Sequence, residues 1–333
     1  MKNGKDESME YRVGVDIGGT NLDIGLVDSE YHIIDKKSVE TKEVKEPGSM
    51  AEYIGSTVCH MLAKCCISAG QIRTIGVGVP GTANLEKGSV EYANNLGFQD
   101  VPFVQMIQKN FPGELRRKVL IENDANAAAI GEYLAGGYHV NHFIMITIGT
   151  GIGGGIIMNG KLIRGVNGAA GEFGHMSIEL SGVACNCGRR GCFEKYASAP
   201  ALAEQMRAAL REESVDGRLV MNLCGGRRDR IDARIVLEAV RRGDPAAIKV
   251  FNRYLYYLSE GIANIINILQ PDVLVLSGGI MRSGDLFLEK LKEMIHEKIY
   301  SRESAVNTWI GQADACKDPG DAGIIGAACI GLL

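Results

Sequence analysis

The chain of 333 residues has little clustered charge and no uninterrupted long apolar run, and these shortages exclude several classes of protein. Its formal net charge is −4 and no block of lysine or arginine is present, so we expect no nucleic-acid partner. The longest apolar stretch, FIMITIGTGIGGGIIM, is broken by five glycines, so we expect no membrane partner either. The opening residues, MKNGKDESMEYR, lack the apolar segment of a signal peptide, which indicates a soluble cytoplasmic protein.

Proline is scarce, with 8 residues, whereas glycine is abundant, with 43. Usual usage of about 7% would give roughly 23 glycines in a chain of this length. There is no G-X-Y period, and ten of the glycines fall between Gly149 and Gly174. Such clusters are typical of tight turns and of backbone that a ligand approaches closely. With 46% hydrophobic residues, the chain also has ample material for a folded core.

Two segments of the chain follow the same pattern, VDIGGTNLDIGLVDSE from residue 15 and ITIGTGIGGGIIMNGK from residue 146. Each reads as an apolar strand, a Gly/Thr turn and an apolar return strand. The repeat predicts a duplicated α/β architecture with two sheets facing each other across a cleft, although two such hairpins can also arise by chance. Helices are expected at 49–69, 125–135, 199–213, 232–241, 244–269, 285–299 and 322–332.

The glycine loops match none of the common nucleotide-binding fingerprints. G-x-G-x-x-G occurs at 76–81 and at 149–154, but neither copy is followed by a predicted helix, which a dinucleotide site requires. Two Gly/Thr hairpins that expose backbone N–H groups could instead hold a nucleotide triphosphate. Asp16 is a carboxylate within an apolar strand and needs a partner. Mg²⁺ and a hydrogen bond to the Thr20 turn are equally good candidates.

Three cysteines and one histidine have the spacing H-x₉-C-x-C-x₄-C, which is a closed tetrahedral ligand set for structural zinc. These residues are His175, Cys185, Cys187 and Cys192. Gly188 and Gly191 would let the chain turn back between the ligands. An odd total of nine cysteines argues against a disulfide framework, and free buried thiols are the alternative to zinc. A fully ligated zinc would shape the loop and would not activate water.

Several segments together resemble the ROK family of sugar kinases and repressors. They are DIGGTN at 16–21, ENDANAAA at 122–129, GTGIGGG at 149–155, GAAGEFGH at 168–175, CNCGRRGCFE at 185–194, PDVLVLSGG at 271–279 and DAGIIGAA at 321–328. GVPG at 78–81 and NLGF at 95–98 are most similar to the bacterial glucokinases of that family. The resemblance implies an ATP-dependent kinase that uses Mg²⁺, contains structural zinc and forms a homodimer or homotetramer.

The fold that the resemblance implies is α/β, a duplicated actin-like ATPase (ribonuclease H-like) fold with two lobes around a cleft. A small N-terminal lobe would cover residues 1–122 and would be completed by a C-terminal helix at about 319–333. A large lobe, residues 123–318, would carry the zinc-bound loop.

The reaction implied is phosphorylation of a hexose at its 6-hydroxyl group, glucose first, with Asp124 as the general base. At the start of a helix, Asp124 could instead be the N-cap, a role that Asn123 fits equally well. By resemblance, the sugar-binding residues are Asn95, Asn123, Asp124, Glu172, His175 and Glu194. Those that would hold the nucleotide and its Mg²⁺ are Asp16, Gly18, Gly19, Thr20, Asn21, Thr150, Gly151, Gly278 and Gly279.

Other functions in the family remain open. N-acetylmannosamine, allose, fructose and mannose are alternative substrates, and Phe98 stands where similar glucokinases usually have tryptophan. A sugar-responsive repressor is disfavoured, because about ten polar residues precede the first predicted strand, too few for a DNA-binding domain. A non-catalytic sugar-binding module is disfavoured because Asp124 and both Gly/Thr loops are present.

Overall fold

A computed structural model describes residues 9–93, 95–212, 216–314 and 320–333 and shows two compact units. Unit 1 comprises Met1–Asn141, Gly155–Gly171 and Ala313–Leu333, and unit 2 comprises His142–Gly154 and Glu172–Gln312. The predicted helix limits at positions 213 and 319 lie outside the described residues. Among the described residues, no helix is both long and apolar enough to cross a membrane.

The regular elements of the described chain alternate between strands and helices. The strands are β1 Tyr11–Ile17, β2 Asn21–Val27, β3 Ile33–Glu40, β4 Ile72–Val79, β5 Thr82–Asn84, β6 Ser89–Ala93, β7 Phe98–Val101, β8 Val119–Asn123, β9 His142–Ile148, β10 Ile152–Met158, β11 Lys161–Leu162, β12 Val273–Ser277 and β13 Trp309–Gln312. The α-helices are α1 Pro47–Cys65, α2 Phe103–Gln108, α3 Asp124–Ala135, α4 Glu194–Ala197, α5 Ala199–Ala209, α6 Arg218–Leu223, α7 Ala233–Arg241, α8 Pro245–Leu269, α9 Leu288–His296 and α10 Asp321–Ala328.

Unit 1 is built on a five-stranded sheet with the order β3-β2-β1-β4-β8. β1 and β2 form an antiparallel hairpin, whereas β4 is parallel to both β1 and β8. Helix α1 begins with Pro47 and buries Met50, Ile54 and Val58, which are spaced four residues apart and therefore share one face. This apolar face belongs to the same core cluster as the strand residues Val15 and Ile75.

Glycines in β1, β4 and α10 allow helix α10 to lie directly against the sheet and against α3. A Cβ atom at Gly14 would lie 1.8 Å from the carbonyl oxygen of Ile324, and one at Gly76 would lie 1.7 Å from that of Ala327. A Cβ atom at Gly326 would lie 1.6 Å from the carbonyl oxygen of Ala127. Part of the glycine excess therefore serves close packing of backbone on backbone, a use that the sequence analysis did not predict.

The second five-stranded sheet has the order β11-β10-β9-β12-β13, and the division between the units falls inside β10. β12 is parallel to β9 and β13, as β4 is parallel to β1 and β8 in the first sheet. In the first sheet, β1 has its hairpin partner β2 on one side and the parallel strands β4 and β8 on the other. In the second sheet, β9 likewise has β10 on one side and the parallel strands β12 and β13 on the other. The equivalence of the two strand orders confirms that the architecture is duplicated.

The longest helix of unit 2, α8, begins and ends where the sequence predicts. The Asp244 side chain accepts a hydrogen bond from the backbone nitrogen of Ala247 at 2.8 Å and so caps the helix. The helix ends at Gln270, which has a left-handed conformation and precedes Pro271. Its buried face includes Phe251, whose ring lies edge-on to Phe287 with centroids 5.4 Å apart.

A third sheet, the three-stranded β5-β6-β7, was not predicted from the sequence, and neither were the short elements α2, α6 and β13. These strands have only three to five residues each, too few for a clear alternating pattern. The predicted helix at 285–299 is shorter in the structure, because a 3₁₀ segment occupies Gly279–Leu286. Helix α3 is grouped with unit 1, and the lobe boundaries at residues 122 and 318 remain a prediction.

Candidate active site

The turn between β1 and β2 holds the first group of predicted nucleotide-binding residues. The backbone nitrogen of Gly18 donates to the carbonyl oxygen of Asn21 at 2.8 Å, which closes the hairpin around the exposed residues Gly19 and Thr20. The hydroxyl group of the buried Thr41 donates to the carbonyl oxygen of Gly18 at 2.8 Å. The backbone nitrogen of Thr41 donates to the carbonyl oxygen of Thr20, also at 2.8 Å. The turn is therefore held from behind, with its tip open to solvent.

Asp16 and Asp124 influence each other's charge in unit 1. A Cβ atom built on Gly78 would lie 3.7 Å from Asp16 Oδ1 and 3.6 Å from Asp124 Cα, so both residues border the same glycine of β4. Burial is the largest cause that raises the pKa of the Asp16 carboxyl to about 7, followed by the charges of Asp124 and Asp23. The ammonium group of Lys36 acts in the opposite direction. Asp16 is thus placed where a cation is favoured.

The N-cap of α3 is Asn123 and not Asp124. The Asn123 side chain accepts hydrogen bonds from the backbone nitrogens of Ala125 at 2.9 Å and Asn126 at 3.1 Å. Its amide nitrogen donates to the carbonyl oxygen of Gly81 at 3.0 Å, which fixes the side chain in place. Asp124 is the first residue of the helix, where the helix dipole favours a negative charge. The structure therefore settles which of the two neighbouring residues is the cap.

Asn95 lies in an exposed turn after β6. The nearby Phe98 is 3% exposed and packs against Phe103, with ring centroids 5.7 Å apart. Phe98 is therefore a core residue of unit 1. The association of Asn95 with the sugar site remains a prediction.

In unit 2, the turn at Thr150 and Gly151 corresponds to the turn at Gly18–Thr20. The backbone nitrogen of Gly149 donates to the carbonyl oxygen of Gly151 at 3.0 Å, and Thr150 is exposed at the tip. Gly278 lies beside the base of this turn. It has a φ of 101°, and a Cβ atom there would lie 2.3 Å from the carbonyl oxygen of Ile148, so only glycine fits.

Glu194 connects the predicted phosphate turn of unit 2 with the cysteine-rich loop. A Cβ atom on Gly151 would lie 2.8 Å from Glu194 Oε2, while Oε1 of the same carboxylate lies 3.7 Å from Cys185 Sγ. His175 lies on the other side of that sulfur, with Nδ1 at 3.8 Å. Glu172 starts the short 3₁₀ turn that carries His175, and its carbonyl oxygen accepts from the His175 nitrogen at 3.1 Å. Unit 2 thus brings together three predicted sugar-binding residues.

A group of four possible metal ligands is present in this loop. The ligand atoms of His175, Cys185, Cys187 and Cys192 all lie within 4.8 Å of one another. The sulfurs of Cys187 and Cys192 are 3.6 Å apart, close to the separation of about 3.8 Å that tetrahedral zinc–thiolate bonds of about 2.3 Å require. The residues present therefore fit a zinc ion. Gly188 and Gly191 have φ of 88° and 72°, which confirms that they form the turns between the ligands.

A cavity of about 670 Å³ lies within unit 2, beside α5 and the first half of α8. Its volume is in the range of ligand pockets. Thr150 and Glu194 form part of its wall, together with the cations Lys195, Lys249 and Arg253. The carboxylates of Glu194, Glu204 and Glu212 line it as well, so the cavity adjoins the predicted phosphate turn and presents charges of both signs.

Two features of unit 1 were missed by the sequence analysis. Thr41 anchors the first glycine turn, but a single threonine after a strand gives no signal of that role. Glu122 is a buried carboxylate paired with Arg164, with Nε 2.7 Å from Oε2. A carboxylate at the end of an apolar strand, the signal that identified Asp16, is also present in VLIE and could have identified Glu122.

Residues 12–332 match the ROK family, and the chain belongs to that family. Solved ROK sugar kinases have the two-lobe actin-like ATPase fold, so the predicted fold class is confirmed.

The chain is similar to both kinases and repressors within this family. The glucokinase of Thermotoga maritima is 33% identical over 321 residues, which cover 96% of each chain. The structure of a ROK family glucokinase from Streptomyces griseus, in complex with glucose and AMPPNP, matches with a TM-score of 0.78 at 32% identity. The match covers 96% of this chain and 98% of that one. The xylose repressor of Caldicellulosiruptor bescii is 30% identical over 86% of this chain and 70% of its own length.

Proposed function

We propose that this ROK protein phosphorylates glucose at its 6-hydroxyl group and that Asp124 is the general base. The broader class, an ATP-dependent hexokinase, is supported by glucokinase relatives that align over 96% of both chains. It is also supported by the likeness to a glucokinase that binds glucose and AMPPNP. The observation that carries the assignment of the base is that Asn123, and not Asp124, caps α3.

Asp124 would accept the proton of the sugar hydroxyl as the sugar oxygen attacks the γ-phosphorus of ATP. The helix dipole at the first position of a helix favours the charged form of a carboxylate, which is the form that accepts a proton. Asn123 accepts from the backbone nitrogens of Ala125 and Asn126 as the cap, and Asp124 Oδ1 also accepts from the Ala125 nitrogen at 2.8 Å, which helps to hold its carboxylate in place. Asn123 and Asn95 are proposed to contact the sugar.

The cysteine-rich loop is proposed to bind structural zinc and to support the sugar site. His175 directs Nδ1 towards Cys185, which leaves Nε2 for a sugar hydroxyl group. A bound zinc would fix the ring and its tautomer, so that Nε2 has a defined role as donor. Glu172 and Glu194 would accept hydrogen bonds from further hydroxyl groups.

The nucleotide is proposed to bind through the two glycine turns. Gly18, Gly19, Thr20 and Asn21 would contact phosphate groups in unit 1, and Thr150 and Gly151 would do so in unit 2. Gly278 and Gly279 would lie near the nucleoside. Asp16 would orient hydrated Mg²⁺, and its raised pKa of about 7 supports a carboxylate that needs a cation to stay charged at neutral pH. Mg²⁺ would neutralise charge on the transferring phosphoryl group.

The alternative substrates are N-acetylmannosamine, allose, fructose and mannose, because one hydroxyl group or an acetamido group decides among them. A repressor role is a second candidate, since xylose repressors align over most of this chain. The cytoplasmic location remains a prediction from the sequence, and a homodimer or homotetramer remains a prediction from the resemblance.

The proposal is tested by ADP release from ATP in the presence of each hexose, ranked by kcat/KM. Glucose is expected to give the highest value. Asp124→Asn is expected to lose about 10²- to 10⁴-fold in kcat, the usual contribution of general base catalysis, while still binding glucose in calorimetry. Asp100→Asn, the same change at an exposed position of unit 1, is the matched control and should retain full activity. If no sugar stimulates ADP release, the chain is not a hexokinase; if Asp124→Asn turns over normally, Asp124 is not the base.

A further inference from the structure

Unit 1 contains a buried ion pair whose residues are not among those proposed to contact sugar or nucleotide. Glu122, near the end of β8, is 1% exposed, and its Oε2 accepts a hydrogen bond from Arg164 Nε at 2.7 Å. A carboxylate at this depth stays charged only with a paired cation, and Arg164 supplies it. Arg164 Nη1 also donates to the backbone oxygen of Leu333 at 3.5 Å. The arginine therefore joins β8 to two other segments of the same unit.

The other oxygen of Glu122 holds the residues on both sides of Asp124. Oε1 accepts hydrogen bonds from the backbone nitrogen of Asn123 and from the side-chain nitrogen of Asn126, each at 3.0 Å. Asn123 precedes Asp124 and Asn126 follows it by two residues. A single carboxylate oxygen thus fixes the first turn of α3 relative to β8.

The contact with Asn123 has a second effect, because Asn123 is the helix cap. Its side chain accepts from the backbone nitrogens of Ala125 and Asn126, so the direction in which α3 starts depends on where Asn123 lies. Asp124 is the next residue, so no loop separates its backbone from the cap. A shift of Glu122 would therefore move the Asp124 carboxylate together with the cap.

We propose that the Glu122–Arg164 pair is a positioning device for Asp124. The proposal rests on the proposed function, in which Asp124 is the general base. Arg164 anchors one oxygen of Glu122, and the other oxygen holds Asn123 and Asn126, so that the base is presented in one orientation. Neither Glu122 nor Arg164 is proposed to touch substrate.

The chemistry of the donors explains why this position has a carboxylate. Three N–H donors, from Arg164, Asn123 and Asn126, converge on the two oxygens of Glu122. A glutamine has only one oxygen, so its NH₂ group would face either the guanidinium or the two asparagine donors. A glutamine at position 122 can therefore satisfy either Arg164 or the two asparagine donors, but not both.

The first test compares Arg164→Met and Glu122→Gln with the wild type, using glucose and ATP well below the melting temperature. We expect kcat to fall about 100-fold, the cost of misplacing a catalytic group by about 1 Å, with a smaller change in the KM for glucose. Lys64→Met is the matched control: it breaks an ion pair of 2.9 Å with Asp35 in the same unit and should leave kcat unchanged.

The second test is the double variant Glu122→Gln/Arg164→Met. Without the guanidinium, the amide of Gln can turn its oxygen to Asn123 and Asn126 with no cation opposite its NH₂ group. We expect kcat of the double variant to exceed that of both single variants. Multiplicative losses in the double variant, or wild-type kcat in both single variants despite lower melting temperatures, would overturn the positioning role. If Arg164→Met does not fold, Arg164→Lys, which keeps the charge without the planar fork, replaces it in the kcat comparison.

A third measurement needs no turnover. Hydrogen exchange at the amides of Ala125 and Asn126 should be faster in the single variants and close to wild type in the double variant. Unchanged exchange in all variants would refute the positioning device whether or not the chain is a kinase. Conversely, an active Asp124→Asn would refute the proposed base, while the exchange result would still report on the device.

Discussion

The stability of unit 1 should depend on pH through the Asp16 carboxyl, because burial disfavours its charged form. Burial, followed by the charges of Asp124 and Asp23, raises the pKa of Asp16 to about 7 from an unfolded value of 3.8. The change to be tested is Asp16→Asn, which keeps the size and removes the ionisation.

The sign of the effect follows from the direction of the shift. Between pH 3.8 and about 7 the folded protein holds a proton on Asp16 that the unfolded chain has released. The stability that this proton contributes is fully present below pH 3.8 and is lost as the pH rises through about 7. A shift of about 3 pKa units corresponds to about 4 kcal/mol in the free energy of unfolding. The metal-free wild type should therefore lose up to this amount relative to Asp16→Asn between pH 4 and pH 8.

The assay is urea unfolding of both proteins at several pH values without divalent cations, with the difference between them as the measured quantity. Glu52→Gln changes an exposed carboxyl of helix α1 in the same unit, so the difference in stability between this variant and the wild type should not vary with pH. Asp23→Asn removes one of the charges that raise the pKa of Asp16. The stability of this variant should therefore fall less between pH 4 and pH 8 than the stability of the wild type. Mg²⁺ with a nucleotide should stabilise the wild type and not Asp16→Asn.

If the difference in the free energy of unfolding between Asp16→Asn and the wild type stays constant from pH 4 to pH 8, the raised pKa of Asp16 is refuted. A difference of the opposite sign, with the wild type gaining stability as the pH rises, would mean that Asp16 is held as a carboxylate by a cation of the protein. In that case its proposed role towards Mg²⁺ would also fail.

Two further predictions concern the metal loop and the glycine packing. Purified protein should contain about one zinc per chain. Cys187→Ser should weaken zinc binding by more than about 100-fold and raise the KM for glucose, because the His175 ring would no longer be held in one orientation. A metal-free protein with full activity would contradict this prediction. Gly76→Ala should destabilise unit 1 by about 3 kcal/mol or more in urea unfolding, since the added Cβ would lie 1.7 Å from the Ala327 oxygen. Gly48→Ala is its control, because a Cβ at Gly48 meets no atom within 4 Å, and equal effects of the two changes would refute the packing role.

The repeated elements were predictable because their signal is local. The β1–β2 hairpin follows from two apolar runs joined by a glycine turn, and helix α8 follows from helical apolar spacing with a proline after its end. Helix α8 lies within one residue of its predicted bounds. The four possible metal ligands were also predictable, since their spacing is short and the turns between them need glycine. The short strands β5 to β7 were missed, because three to five residues carry too little periodicity.

The sequence by itself thus determined the duplicated α/β class and the family, and it predicted the four possible metal ligands that lie together in the cysteine-rich loop. Only the tertiary structure decided that Asn123 is the cap of α3, that Glu122 pairs with Arg164 and that Gly14 and Gly76 admit α10. The physical reason is distance along the chain. Turns and C-x-C spacing involve residues close in sequence, whereas the bonds of Asn123 to Gly81 and of Glu122 to Arg164 each span 42 positions and form only when unit 1 has folded. No pattern in a single sequence reports which buried charge will find which partner, or which glycine will face another backbone.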